Sequence, residues 1–561
     1  MTKSKLDRIC ILFIVIISVL VVFDLFFNKG HSAWMDGRVH ITTITQFFLA
    51  IKDGDFKVTW LDGIANYGMP FGFVGHQLIS YLGAFVTFLT NDVLTSWKII
   101  ALIGALLSNL FFYFFLRIYF SPVSSLLAVF LYNVAPYRIL NLYVREALPE
   151  FFASLFFPLI PLCLYYLIKK RKFWAIPALT IATALFTLNH PMLLVVSAFF
   201  FISYLIFLLK DEKSRLKLLI LSGTLMAWGI LIAAYYIIPL QVEIKYFYYG
   251  IGNHLTPGQY LSLKNFIDPN WYYFLLSQGD IINRGHFVKV GEIELIGVVI
   301  GLLLVIWRLR NRKKWQFTIL ELTLFLSLLV LFLTTKYSLF LYQKINLLSN
   351  IQFPWRMLSL FIFLPPIIFA YIFEKFNWKV LMIIFVLVVA LMRFPQLYSK
   401  NNTDHPMSRY LFTTINIHST NMNTVWTGET DDYPIKKNKG EIIRGKGKIT
   451  SYAKKNSSRK YKVEAESDIR MADYTFYFPG WTVYVDGVKT NIEFQDPDYR
   501  GVITYNVPAG KHDILVKFED TKVRTLGNII SVVSLDGFLI AVYLQKRFRY
   551  LQRIFKYPNF S

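Results

Sequence analysis

Asp36 and His40 stand four residues apart in Asp36-Gly37-Arg38-Val39-His40, just after the first long apolar run. A helix starting there carries both on one face. A carboxylate beside an imidazole is the equipment of general acid–base chemistry: the Asp takes a proton from an attacking hydroxyl while the His orients it or assists. An Asp at that place also caps a helix by accepting from free backbone N–H groups, and spacing alone leaves both readings of Asp36 open. Further polar residues gather in short interruptions of the apolar pattern. Tyr143, Arg145, Glu146 and Glu150 form one group, with Pro149 suited to open a helix. Asn189-His190-Pro191 makes a tight turn, and Gln352-Phe353-Pro354-Trp355-Arg356 opens another helix. Arg138, Arg145 and Arg356 fall in short segments on the side of the membrane where Arg is disfavoured. An anionic ligand gives them a purpose; pairing with Glu146 or Glu150, or reaching to headgroup phosphate, is the structural alternative.

The elements that must position these residues are membrane helices. Of 561 residues, 55% are hydrophobic, 17% aromatic and only 17% charged, where a soluble domain carries about 25% charged. That composition excludes a soluble enzyme, a disordered scaffold and a nucleic-acid-binding protein. The net charge of +24, from 59 Lys+Arg against 35 Asp+Glu, then belongs to basic loops on the cytoplasmic side. Runs long enough to cross ~30 Å of hydrocarbon begin near Ile9, Ser96, Val123, Phe151, Phe173, Met192, Leu216, Ile293, Phe317, Met357, Trp378 and Leu526, about twelve spans in all. Basic clusters such as Lys169 to Lys172, Arg308 to Lys314 and Lys546 to Lys556 follow even numbers of crossings, so both termini are expected in the cytoplasm. The first segment reads as a span, being longer than the apolar part of a signal peptide. Cys10 and Cys163 both lie inside predicted spans, so no disulfide is expected, and a bacterial plasma membrane fits the chain.

Residues 1–397 are therefore expected to form a multispanning domain with a large first external loop over 28–95. Residues 398–523 form a polar extracytoplasmic domain, and residues 524–561 a last helix with a basic tail. In the first loop, Ile41, Ile44, Phe47, Phe48 and Ile51 recur at helical spacing, which predicts an amphipathic helix over Met35 to Lys52 lying on the outer membrane face. The Gly- and aromatic-rich stretch from Trp60 to Gly72 is too apolar for a plain linker and should pack back onto the protein or the headgroups. In the polar domain, Trp481 to Val485 alternates and runs through Asp486-Gly487, a type I′ hairpin signal. Val502 to Val507, Pro508-Ala509-Gly510 and His512 to Phe518 read as a second hairpin, completing a small antiparallel β-sandwich.

Asp536, Glu321 and Asp24 are the carboxylates inside predicted spans. They keep a flippase or transporter in view, although no internal repeat accompanies them. No phosphate-cradling Gly-Lys-Ser loop, His-Glu-x-x-His or Cys-His cluster is present, which leaves ATP-driven transport and zinc proteolysis without support.

The order of these features resembles the YfhO-like bacterial membrane proteins, also labelled pyruvoyl-tetrahydropterin-synthase-related, within the glycosyltransferases of the C-type multispanning fold (GT-C). The matching residues are Asp36-Gly37 and His40, Tyr67-Gly68-Met69-Pro70, Arg145 with Glu150, and Pro354-Trp355-Arg356. The stretches from Tyr477 to Gly487 and from Val507 to His512 look like that family's external β-domain. The resemblance implies a polytopic α-helical protein with an extracytoplasmic β-sandwich before its last span. Its implied activity is a membrane glycosyltransferase that moves sugar from a polyprenyl-phosphate-linked donor to a cell-envelope polymer, teichoic acid or exopolysaccharide, by direct inverting displacement. In that reading Asp36 and His40 are catalytic, and Arg145, Glu146, Glu150, His190, Gln352, Arg356 and Tyr67 bind substrate. No cofactor is required. Related enzymes carry an acidic pair where this chain has Asp36-Gly37, so a divalent metal has no support in the motif. A lipid-linked-sugar flippase and a non-enzymatic envelope assembly factor are the alternatives.

Overall fold

The computed structural model describes residues 3–28, 30–32, 36–70, 72, 75–247, 260–262, 265–266, 288–311, 316–345, 348, 351, 353–376, 379–397, 402–403, 410, 424–427, 433–434 and 436–555. Among them, helices long and apolar enough to cross a membrane run over Lys5–Phe27, Val93–Leu116, Leu148–Ile168, Pro191–Leu209, Arg215–Ile232, Pro354–Lys375 and Lys522–Gln545. The expected span at Val123 is broken: Pro122–Asn133 and Pro136–Val144 meet at 51°. Of the remaining expected spans, Ala175–Asn189, Ile319–Thr334 and Lys379–Arg393 are helices of 15 or 16 residues, and Glu292–Asn311 carries acidic residues in its first turn and arginines in its last. The count of twelve therefore resolves into seven such helices, one bent pair and four that fall short in length or apolarity. In the most apolar stretch of Leu148–Ile168 and of Pro354–Lys375, 83% of the residues are buried, against 17% in Lys522–Gln545, so the spans that open with Glu150 and Arg356 form the centre of the bundle.

The first loop holds more structure than its sequence suggested. The amphipathic helix is present as Gly37–Lys52, but its apolar face packs against a second short apolar helix, Gln77–Thr90, instead of lying on the membrane. Ile44 rests against Gly83 at that crossing, where a Cβ would collide with it. The extended pair β1 (His31–Ser32) and β2 (Asn402–Thr403) ties the start of the loop to the chain after the helix Lys379–Arg393.

The C-terminal sheets are antiparallel. β3 (Gly440–Arg444), β6 (Ile469–Phe476) and β9 (Val502–Val507) form one sheet in the order β3-β6-β9. β4 (Gly447–Lys455), β5 (Ser458–Ala465), β7 (Trp481–Val485), β8 (Val488–Thr490) and β10 (Gly510–Phe518) form the other in the order β4-β5-β10-β7-β8. The β7–β8 hairpin turns on Asp486 and Gly487, both at positive φ (50° and 82°), as the type I′ signal required. The second expected hairpin does not form. β9 pairs with β6 while β10 pairs with β5 and β7, so the turn at Pro508 to Gly510 crosses between sheets. Asp468 accepts from the Ala509 N–H at 3.0 Å and holds that crossing.

The first loop docks on these sheets. Trp60 meets Trp481 edge-on at 5.0 Å, and Tyr67 stacks on Phe476 at 4.7 Å. Asp62 receives Arg459, Lys454 and, at 3.6 Å, Lys439. This contact explains why β6 and β9 are buried on both faces and do not alternate.

Candidate functional site

Glu150 is the anchor of the site. It lies in the first turn of Leu148–Ala153, with Pro149 at the helix start as expected. Its carboxylate is fully engaged: Oε1 accepts from Tyr137 Oη at 2.5 Å and Ser359 Oγ at 2.6 Å, and Oε2 accepts from Arg145 Nη1 at 2.8 Å. Arg145 continues the chain of contacts. Its Nη1 also donates to Asn141 Oδ1 at 2.7 Å, its Nη2 to Asp36 Oδ2 at 3.1 Å, and its guanidinium lies 4.8 Å from the centre of the Trp355 ring. The backbone makes this possible. Leu140–Val144 is a π-turn closed by Arg145 N–H on Leu140 O, and Glu146 follows at a φ of 51°, a strained conformation for a residue with a Cβ.

Asp36 is held at the rim of this network. Its N–H donates to Arg145 O at 2.9 Å, and its side chain makes no cap bond to the helix Gly37–Lys52. The cap reading thus fails on geometry. One carboxylate oxygen is fixed by Arg145, and the side chain is 41% exposed where Arg145 is 3% and Glu150 2% exposed. A Cβ at Gly37 would overlap the Glu146 carboxylate, which explains why glycine follows Asp36. His40 lies on the same helical face as Asp36, its N–H bonded to Asp36 O.

Three imidazoles line up beside these charges. The His40 and His76 ring centres are 5.6 Å apart, and those of His76 and His190 are 4.6 Å apart. Burial is the main cause that holds His40 and His190 well below the ordinary imidazole range and pushes His76 down to about 4, so all three are neutral at pH 7. Their partners fix two tautomers. His76 Nδ1 faces Asn189 O at 2.8 Å and must donate, which leaves Nε2 as an acceptor. His190 Nδ1 accepts from Leu193 N–H at 3.3 Å, so its proton sits on Nε2.

Arg356 completes the group. Its Nε is 3.8 Å from Glu150 Oε2 and forms no hydrogen bond, while Nη1 meets Met192 Sδ at 3.1 Å. It is a cation, 13% exposed, whose donors are mostly unspent. The N-termini of Gly37–Lys52, Gln77–Thr90, Leu148–Ile168, Pro191–Leu209 and Pro354–Lys375 all open on this cluster, adding the positive ends of their dipoles.

The structure thus gathers Asp36, His40, Arg145, Glu150, His190 and Arg356 into one place, with Glu146 packed behind Gly37. Arg145, Glu146, Glu150 and His190 are each at most 5% exposed. Tyr67 is elsewhere: it is 2% exposed, stacks on Phe476 and donates to Pro434 O, because the first loop folds onto the sheets. Gln352 lies outside the described residues. Arg138 pairs with no carboxylate; it donates to Ser154 and Ser108 and is sandwiched by Tyr132 and Phe151 at 4.6 Å each. Asp536 faces outward on the peripheral helix Lys522–Phe555, and Glu321 is consumed by a capping box and by Arg308 at 2.6 Å. Neither marks an internal path. His76, Tyr137, Asn141 and Ser359 were missed. Only His76 carried a signal, as a polar residue directly before the apolar run from Gln77 to Thr90. Among the described residues, no group of three or more His, Cys, Asp or Glu side chains is arranged to hold a metal ion.

No family model and no curated protein matches the chain. Two cryo-EM structures of the arabinofuranosyltransferase AftD from Mycobacteria, one of them a mutant, superpose on 72% of this chain. The identities are 13% and 12%, and the TM-scores 0.44 and 0.45. The chain spans 28% and 29% of those proteins, less than a third of their length. The chemistry has to come from the site itself.

Proposed function

We propose that the chain is a membrane glycosyltransferase that moves a sugar from a polyprenyl-phosphate-linked donor to a cell-envelope glycopolymer on the outer face. One observation carries this reading: a carboxylate with one oxygen anchored and the other open stands beside an underused arginine where several helix N-termini converge. Such a place suits an anion next to a base. The donor phosphate binds Arg356, whose free donors and the helix dipoles stabilise charge as it develops. An acceptor hydroxyl gives its proton to Asp36 as its oxygen bonds to the anomeric carbon. The bond from that carbon to the phosphate oxygen breaks on the opposite face, polyprenyl phosphate leaves with the electron pair, and the configuration inverts. Arg145 keeps Asp36 aimed, and Glu150 keeps Arg145 in place. His40 and His76 are neutral and present acceptor and donor atoms to sugar hydroxyls. Both termini lie in the cytoplasm of a bacterial cell in this reading.

The test is transfer in proteoliposomes containing the purified protein, an envelope polysaccharide acceptor and a labelled sugar carried either on polyprenyl phosphate or on a nucleotide. Label entering the polymer from the lipid donor alone is the expected result. Entry from the nucleotide sugar alone, or movement of the lipid-linked sugar across the bilayer without transfer, overturns the proposal.

A further inference from the structure

A second feature lies on the C-terminal sheets, away from the charged cluster. Asn491, Gln495, Asn506, Glu493 and Arg470 line a cavity of about 330 Å³ together with Phe494. Phe494 stacks on Tyr477 with ring centres 3.7 Å apart and planes 5° apart. Trp426 meets both edge-on at 5.1 and 5.4 Å, and stacks in turn on Tyr246 at 5.5 Å. All four rings are only partly buried. The backbone holds them in register: Val425 N–H donates to Tyr246 O, and Phe247 bridges to Thr424.

Tyr246, Trp426 and Tyr477 pack against the apolar core of the sheets on one side, and each ring keeps part of its surface open to water beside exposed amides. The combination suits a sugar, whose C–H faces lie on rings and whose hydroxyls exchange hydrogen bonds with Asn and Gln, groups that both donate and accept. The charge decides which glycan. Arg470 is already bonded to Asp496 at 2.7 Å, Glu493 at 3.4 Å and Thr504 at 2.8 Å, so the wall offers a phosphate no uncommitted cation. With its amides as the remaining polar groups, the wall suits an uncharged polymer better than a phosphate-linked one.

We infer that Trp426, Tyr477, Phe494, Asn491, Gln495 and Asn506 form a binding site for an uncharged glycan chain, a stretch of the acceptor polymer. The inference takes the acceptor's role from the transferase reading, while the binding itself stands apart from it. The two sites share a strut. Tyr236, in the helix Ala234–Glu243, donates to Gly75 O next to His76, and Tyr246 follows just beyond that helix. Holding the chain there raises its effective concentration at Asp36.

The experiment is binding of the full-length protein in detergent to two immobilised probes, an uncharged envelope polysaccharide and a glycerol-phosphate polymer, with the wild type, Trp426→Ala and Asn491→Ala/Gln495→Ala. The expected result is binding to the uncharged polymer alone, weakened at least about tenfold by Trp426→Ala and by the exposed amide pair. The amide pair lies on the surface, so its loss of binding cannot be assigned to unfolding. Absence of binding to the uncharged polymer, preference for the phosphate polymer, or equal binding by the wild type and the amide-pair variant overturns the inference. If Asp36→Asn proves fully active in transfer while the amide pair still abolishes binding, the transferase chemistry fails and this site stands.

Discussion

Two charged clusters in this molecule are built from the same parts and end differently. Around Asp62, the partners Arg459, Lys439 and Lys454 close on one carboxylate that is 5% exposed, and Arg459 is fully enclosed and also faces Asp473 at 3.7 Å. Around Glu150, an equally buried Arg145 bridges outward to Asp36, which is 41% exposed, and Arg356 stands by with Nε unbonded. The first cluster is closed on itself and fastens the first loop to the sheets. The second has an open end. A buried ion network that closes on its own carboxylates tells of assembly, whereas one that leads a carboxylate to water with its geometry fixed tells of chemistry.

Breaking the closed cluster should have the largest effect on stability. Arg459→Met leaves Asp62 and Asp473 buried with a cation missing, a change that costs about 3–5 kcal/mol. Thermal unfolding in detergent should show the drop, and transfer should fall only as folded protein is lost. Arg356→Ala probes the open cluster. Loss of a charge-assisted bond to the donor phosphate, worth about 1.5–3 kcal/mol, should raise the donor KM roughly 10- to 100-fold with the unfolding temperature unchanged. A KM that stays at its wild-type value would place the phosphate elsewhere.

The clusters should also part in their pH dependence. Burial pushes His76 down to about 4, below its unfolded value near ~6.5. Between those values the unfolded chain binds the extra proton, so stability falls as pH drops from ~6.5 towards 4, and His76→Gln should flatten that slope. In the closed cluster burial pushes Lys439 down to about 8. The unfolded chain again holds more protons above that value, so stability rises from about pH 8 towards ~10.4, and Lys439→Met should abolish the rise. Unfolding temperatures of the three proteins across pH 4 to 10 check both.

The sequence made the bundle legible because apolar runs and basic clusters are local signals. A run such as Phe317 onward becomes a helix of 16 residues, and composition does not reveal where a helix stops. The β7–β8 hairpin was readable from Asp486-Gly487, whereas the partners of β9 and β10 are set by distant strands and no local pattern encodes them. At the site, Asp36, His40 and Arg356 could be read from spacing and topology. That Arg145 reaches Asp36 across 109 residues could not, nor that Tyr67 turns to the sheets.

The central claim is that the open end of the charged network does the chemistry, and Asp36→Asn tests it most directly. The substitution keeps size and shape but removes the base, and Asp36 makes no helix-cap bond to lose. Sugar transfer from polyprenyl phosphate to the envelope polymer, measured at matched membrane abundance and equal unfolding temperature, should fall by about 10²- to 10⁴-fold. Transfer at the wild-type rate in Asp36→Asn would contradict the account.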